Sequence, residues 1–91
     1  MLGEKLKELR EAKGLLQRQI AAELEVDTAY VSKMENDEKP VSRAYLKRLS
    51  PLLGVSEKEL TTIWLADKVL RTVDKEDYKQ QALLLALKSL K

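Results

Sequence analysis

The 91-residue chain contains no cysteine, no histidine and no phenylalanine, and only three glycines and two prolines. Without cysteine there can be no disulfide and no thiolate metal site. Without histidine the chain also lacks the other common transition-metal ligand and the usual base beside a catalytic nucleophile. Carboxylate pairs such as Glu57 and Glu59 lie in charged stretches where no apolar pocket would perturb them. We therefore expect no bound metal, no cofactor and no enzymatic activity.

Long hydrophobic runs are also missing. The longest unbroken apolar run is ALLLAL at 82–87, far shorter than the roughly 20 residues that a transmembrane helix needs. The first ten residues, MLGEKLKELR, are charged and lack the apolar core of a signal peptide. We expect a soluble protein without a membrane partner, and the absence of cysteine fits the cytoplasm. No segment is long enough for a separate ligand-sensing domain, so no small-molecule ligand is expected.

No large excess of charge of either sign is present. The formal net charge is +2, and residues 1–50 contain ten Lys or Arg and nine Asp or Glu. Bulk charge therefore does not identify a nucleic-acid-binding protein, and the case for such a partner has to come from where the charges lie.

What the sequence does contain is a succession of helical patterns. Leu2, Leu6 and Leu9 recur every three or four residues and predict an amphipathic first helix, with Gly14 at the left-handed position beyond its end. No segment alternates with a period of two, so the fold class is all-α. Five further helices are predicted: Gln17 to Glu25, Thr28 to Asn36 after an Asp27 cap, Ser42 to Leu49 or Ser50 before Pro51, Ser56 to Leu70, and Lys75 to Leu90.

The stretch QRQIAAELEVDTAYVSKMEN at 17–36 joins two of these helices by only three residues, EVD. Ala21 is small where the second helix of the pair must approach closely, and Leu24, Val31 and Met34 are apolar where the pair faces inward. Such a short connection is typical of two helices that meet at a steep angle.

This pattern resembles the helix-turn-helix of the Cro and phage-repressor family, also called the Xre family. The resemblance extends over residues 2–66. LGEKLKELREAKGL is similar to the family's first helix, VDTAYVSKMEN to its recognition helix and LLGVSEKEL to its closing helix. It implies a lambda-repressor-like DNA-binding domain of five helices at 1–66, and an additional C-terminal helix in 67–91. One residue departs from the pattern, because the family usually has glycine where this chain has Glu25. A non-glycine residue in the left-handed conformation costs about 1–2 kcal/mol, and we expect this strain to be tolerated.

The resemblance implies double-stranded DNA as the partner, with the second helix of the pair in the major groove. Lys33 could donate to guanine, while Thr28 and Ala29 could offer methyl contacts to thymine. The alternative is a solvated outer face without a partner. The predicted base-contacting residues are those left outward when Val31 and Met34 face the core: Thr28, Ala29, Tyr30, Ser32 and Lys33.

Phosphate contacts are also predicted, from residues that lie together on one side of the domain. Gln17 and Arg18 lie at a helix N-terminus, where free N–H groups and the helix dipole favour an anion. The resemblance adds Asn36, Lys39 and Arg43 to the phosphate-contacting set. Each of these could instead be an ordinary surface residue.

The resemblance implies a structural role for Arg10 and Glu35. They match family positions whose side chains form a partly buried ion pair between the first and third helices.

The C-terminal leucines need a separate explanation. Our interpretation is a homodimer interface, because two copies related by a two-fold axis would read a palindrome with half-sites about 34 Å apart. The alternative is a sixth helix that folds back onto its own domain. The residues predicted at the interface are Leu83, Leu84, Leu87 and Leu90.

The sequence thus predicts a sequence-specific transcriptional regulator, most simply a repressor. Phage regulators, restriction–modification controllers and antitoxins share the architecture that the resemblance implies, and the sequence does not separate them. The alternative function is a protein-interaction module that keeps the helix-turn-helix fold, such as an antitoxin-like or anti-regulator protein. An acidic or apolar recognition face would favour that alternative, whereas the face predicted here is neutral to basic.

Overall fold

A computed structural model describes residues 1–91 as six helices without strands. The all-α prediction is confirmed, and most helix boundaries lie within two residues of those expected. In chain order the helices are α1 (Leu2–Ala12), α2 (Gln17–Leu24), α3 (Thr28–Glu35), α4 (Arg43–Leu53), α5 (Glu57–Val73) and α6 (Lys79–Lys88).

The first five helices enclose a single hydrophobic core. Helix α3 packs against α2 and α1, while α4 packs against α5 and α2. Each helix contributes the apolar stripe that its sequence period predicts, and the loop before α4 adds Val41. The buried hydrophobic residues are Leu2, Leu6, Ile20, Ala21, Leu24, Val31, Met34, Val41, Leu46, Leu49, Leu53 and Leu60.

Local signals in the sequence fix several helix ends. Gly14 has φ of +68° just beyond α1, where a left-handed residue was expected. Asp27 caps α3 by accepting a hydrogen bond from the Tyr30 backbone N–H at 2.8 Å, and Ser56 caps α5 through the Glu59 N–H at 3.0 Å. These caps satisfy N–H groups that have no acceptor within their own helix.

Glu25 adopts the left-handed conformation that the family normally gives to glycine. Its φ and ψ are 58° and 43° at the end of α2, so the expected strain is present. The next residue, Val26, donates its N–H to the Ala21 carbonyl at 3.0 Å, which closes the turn and lets α3 begin after only three intervening residues. Burial of Ala21 and Leu24 beside this turn offsets the strain.

Gly3 sets the distance between α1 and the end of α3. A Cβ atom at this position would lie 2.3 Å from the Met34 carbonyl oxygen, well inside van der Waals contact. The Gly3 N–H donates to Asp37 Oδ1 at 3.0 Å. Any side chain here would move α1 away from α3, so this glycine is required for the close approach.

Three expected helix boundaries are wrong, and one of them is the end of α5, which lies at Val73 instead of Leu70. Helix α4 does not end before Pro51 but continues to Leu53. A proline removes only one helical hydrogen bond near a C-terminus, and burial of Leu53 in the core favours the last turn. Helix α6 begins at Lys79 instead of Lys75, because Tyr78 has a left-handed φ of 65° and breaks the helical path.

Helix α5 runs without interruption to Val73. The division predicted between residues 66 and 67 therefore falls inside a helix, and the two segments share α5. Helix α6 contributes no buried residue and does not cover the core. No helix combines the length and the apolar character that crossing a bilayer requires.

Replacement of Glu25 by glycine tests the strain in the α2–α3 turn. Glu25→Gly should raise the free energy of unfolding by about 1 kcal/mol, because glycine adopts the left-handed conformation without steric cost. Chemical denaturation monitored by circular dichroism measures the change. Glu23→Gly is the matched control, since Glu23 is an exposed residue within α2 and glycine there should destabilise by about 1 kcal/mol. Equal destabilisation by both substitutions would contradict strain at Glu25.

Candidate nucleic-acid interface

Helix α3 presents one face to the core and the other to solvent. Val31 and Met34 are 0% and 1% exposed, so they fix the rotation of the helix about its axis. Thr28, Ala29 and Lys33 are exposed on the outward side. The structure thus leaves Lys33 accessible to a partner at the surface of the domain.

Tyr30 and Ser32, the other two residues predicted on the outward face, are half-buried. The Tyr30 side chain packs against the core, so its assignment to a fully outward face is corrected. The cause is helical geometry, because Tyr30 lies four residues before Met34 and shares its side of α3. Only the edge of Tyr30 that remains exposed could reach a nucleotide.

Arg10 and Glu35 form a bidentate ion pair between α1 and α3. Arg10 Nε lies 2.7 Å from Glu35 Oε2, and Arg10 Nη2 lies 3.1 Å from Glu35 Oε1. The side chains are only 11% and 4% exposed. The hydrogen bonds to Glu35 raise the pKa of the Arg10 guanidinium above its usual value, so Arg10 is charged across the physiological pH range. Arg10 also donates to the Leu15 carbonyl at 2.8 Å, which fixes the loop before α2.

Gln17 belongs to this network as well. Its side-chain amide donates to Glu35 Oε1 at 3.0 Å, which links α2 to the ion pair between α1 and α3. The predicted contact of Gln17 with phosphate would therefore use its main-chain N–H. The N–H groups of Gln17 and Arg18 have no acceptor within the protein and lie at the positive end of the α2 dipole.

The remaining residues predicted to contact phosphate are all at the surface. Arg18, Asn36, Lys39 and Arg43 are exposed. Arg18 is at the start of α2, and the other three lie between the end of α3 and the start of α4. The last three thus belong to the chain segment that directly follows α3.

Sequence reasoning did not anticipate the surroundings of Arg43. Its guanidinium carbon lies 5.5 Å from the centroid of the Trp64 ring, and Lys68 Nζ lies 5.2 Å from the same centroid. Trp64 Nε1 donates to the Val41 carbonyl at 2.7 Å, which ties α5 to the loop before α4. No local sequence pattern predicts this cluster, because its members come from two different helices, α4 and α5.

The short turn, the outward face of α3 and the cations beside it define a small helix-turn-helix domain of the DNA-binding class. A family model described as "Helix-turn-helix domain" matches residues 1–63, about two thirds of the chain. The chain belongs to this family, whose members are DNA-binding transcriptional regulators.

Two curated relatives each match about two thirds of the chain. A propionyl-CoA carboxylase regulator of Cereibacter sphaeroides is 40% identical over 60 residues, which are 66% of this chain but 13% of that protein. Control protein C.MunI of a Mycoplasma species is 41% identical over 59 residues, which are 64% of this chain and 80% of that protein. The chain thus spans most of the second relative and a small part of the first. No solved structure matches significantly.

Removal of the Arg10 side chain tests the structural role of the ion pair. Arg10→Ala should lower the free energy of unfolding by roughly 3–5 kcal/mol, because Glu35 would remain as an uncompensated buried charge. Thermal or chemical denaturation of the full chain provides the measurement. Lys7→Ala, an exposed position on the same helix, should stay within about 0.5 kcal/mol of the wild type. A loss below about 1 kcal/mol for Arg10→Ala would show that the pair contributes little.

Proposed function

We propose that the protein is a repressor that binds a palindromic operator in double-stranded DNA as a homodimer, without a catalytic step or a cofactor. The observation that carries this proposal is the accessible face of α3, where Lys33 and Ala29 lie opposite Val31 and Met34. A helix that is held by its apolar side and exposed on its polar side can enter the major groove.

The chemistry of this face suits the edges of base pairs. The Lys33 ammonium can donate to guanine O6 and N7, and the Thr28 and Ala29 methyl groups can contact the thymine methyl. Ser32, which is half-buried, can still offer a hydroxyl from the side of the helix. Tyr30 contributes less to base contacts, since its ring packs against the core.

Contacts to the phosphate backbone would hold the helix in register. The unpaired N–H groups at the start of α2 and the exposed Arg18 supply one anchor. Asn36, Lys39 and Arg43 supply the other, after α3. Such contacts position the domain and give binding its salt dependence, while the choice of sequence comes from α3.

The leucines of α6 support association of two copies. Leu84, Leu87 and Leu90 are 53%, 64% and 75% exposed, and Leu83 is half-buried. Three of these leucines lie on α6, and Leu90 lies two residues beyond its end, so together they form an apolar surface that a second copy could bury. One recognition helix reads only a few base pairs, so a two-fold dimer would double the site and read a palindrome.

Repression is the simplest regulatory outcome for such a domain, because a dimer bound over a promoter blocks polymerase without further parts. The names of the two relatives, a regulator and a control protein, support a role in regulation. We expect the protein to act in the cytoplasm, where its DNA target would lie.

Two substitutions separate base reading from backbone binding. Lys33→Ala should reduce discrimination at one or two base pairs, each by about 1–3 kcal/mol. Arg43→Ala should weaken binding to all sequences alike and lower the slope of log K against log salt by about 0.9, the effect of one lost phosphate contact. Operator sequences selected from a random double-stranded DNA pool, followed by titrations at several salt concentrations, measure both effects.

The outcomes of the selection and the titrations separate the two candidate functions. Selected sequences without any preferred base would contradict sequence-specific binding. Failure to bind even mixed-sequence DNA at low salt would instead favour the interaction module. Identical behaviour of the Lys33 and Arg43 variants would contradict the division between readers and anchors. A palindrome in the selected pool supports a two-fold dimer.

Substitution of the α6 leucines tests dimerisation. Leu87→Asp, alone and with Leu84→Asp, should convert a dimer into a monomer, because a carboxylate in an apolar interface loses its hydration. Sedimentation at micromolar concentration gives the oligomeric state. Leu85→Asp is the matched control, since Leu85 is equally exposed but lies two residues before Leu87, on nearly the opposite side of α6. A monomeric wild-type chain would contradict the proposed interface.

A further inference from the structure

Trp64, the only tryptophan in the chain, has two cations from different helices within about 6 Å of its ring centroid. Arg43 begins α4, and its guanidinium carbon is 5.5 Å from the indole centroid. Lys68 belongs to α5, one turn after Trp64, and its ammonium is 5.2 Å from the same point. The two cations therefore lie at most about 11 Å apart, and neither forms an ion pair with a carboxylate of the protein.

The indole is itself held in place. Its Nε1–H donates to the Val41 carbonyl at 2.7 Å, and Val41 is buried in the core. The ring can therefore act as a rigid platform for the two flexible cationic side chains. Attraction of a cation to an aromatic face is weaker than a charge-assisted hydrogen bond to phosphate, so a phosphate can recruit both cations from the ring.

A shallow groove of about 350 Å³ adjoins this platform. Two cationic residues, Lys68 and Arg71, line it beside Trp64, and no carboxylate does. Of these cations, Arg71 already pairs with Asp67 at 3.2 Å, whereas Lys68 has no anionic partner. The residues that line the groove are Pro40, Val41, Trp64, Lys68, Arg71 and Thr72.

The position of the groove relates it to the DNA-facing side. Pro40 and Val41 follow Lys39 in the loop after α3, and Arg43 follows them at the start of α4. A strand of DNA that contacts Arg43 would pass close to Lys68, because both side chains approach the same indole ring. Lys68 lies beyond residue 63, where the match to the family model ends, so the extended part of α5 supplies it.

We propose that Lys68 and Arg43 together contact neighbouring phosphates on one DNA strand, and that Trp64 is a positioning residue that holds both cations ready for them. The inference rests on the proposed DNA-binding function and extends it by one phosphate-binding residue. Successive phosphates of one strand are displaced by about 3.4 Å along the helix axis. Two flexible cationic side chains that lie at most about 11 Å apart can therefore reach neighbouring phosphates.

The salt dependence of binding tests the role of Lys68. Lys68→Gln should lower the slope of log K against log salt by about 0.9, as should Arg43→Gln, because each removes one phosphate contact. The probe is mixed-sequence double-stranded DNA titrated with the full-length protein at several salt concentrations. Lys58→Gln is the matched control, since it removes an exposed lysine from the first turn of the same helix and should leave the slope unchanged.

Fluorescence of Trp64 gives a second readout at the site itself. Because the chain has no other tryptophan, DNA binding should change the emission of Trp64 as the two cations move towards phosphates. The change should follow the same binding curve as an independent measurement, and Lys68→Gln should reduce its amplitude at saturating DNA. A structural role of Lys68 alone would not produce this effect.

The outcomes separate this inference from the function on which it rests. A wild-type slope for Lys68→Gln together with a lowered slope for Arg43→Gln would overturn the inference and leave DNA binding intact. Unchanged Trp64 emission at saturating DNA would overturn the positioning role. Absence of all DNA binding by the wild type would overturn the proposed function, and the inference with it.

Discussion

The architecture depends on the buried ion pair between Arg10 and Glu35. Through it α1 is joined to α3, while Gln17 joins α2 to the same carboxylate and the Leu15 carbonyl joins the intervening loop to the same guanidinium. A charge removed from water has to be fully paired, so this network tolerates few other arrangements of the three helices. The orientation of α3 follows from it.

Around that network, two backbone features determine how closely the helices approach. Gly3 lets α1 lie against the carbonyl end of α3, and the left-handed Glu25 lets α3 leave α2 after a minimal turn. Both act in the same direction, since each brings α3 nearer to its neighbours. The apolar side of α3 is then buried completely, and Lys33 and Ala29 are left outside. An exposed reading face is thus a consequence of tight packing on the other side of the helix.

The chain consists of this five-helix unit and an apolar C-terminal helix, α6. The core is complete with α1 to α5, and α6 contributes no buried residue to it. Between the two lies the part of α5 from Trp64 onwards, where Trp64 packs against the core and Lys68 lies beside its ring. The extension of α5 therefore connects the proposed dimer interface with the surface that we propose faces the DNA backbone.

Much of this could be read from the sequence, because it is encoded by near neighbours in the chain. Helix periodicity, the caps at Asp27 and Ser56 and the glycine stop at Gly14 are local signals. The resemblance to a known family added the pairing of Arg10 with Glu35. The exposed side of α3 then followed from burial of Val31 and Met34.

The remaining features depend on packing between helices. Burial of Leu53 keeps α4 helical beyond Pro51, and the core draws in the ring of Tyr30. The side-chain amide of Gln17 donates a hydrogen bond to Glu35, and Arg43 of α4 lies near Trp64 and Lys68 of α5. Each of these depends on partners far apart in the chain, whose distance is set by packing and not by the spacing of residues along the sequence.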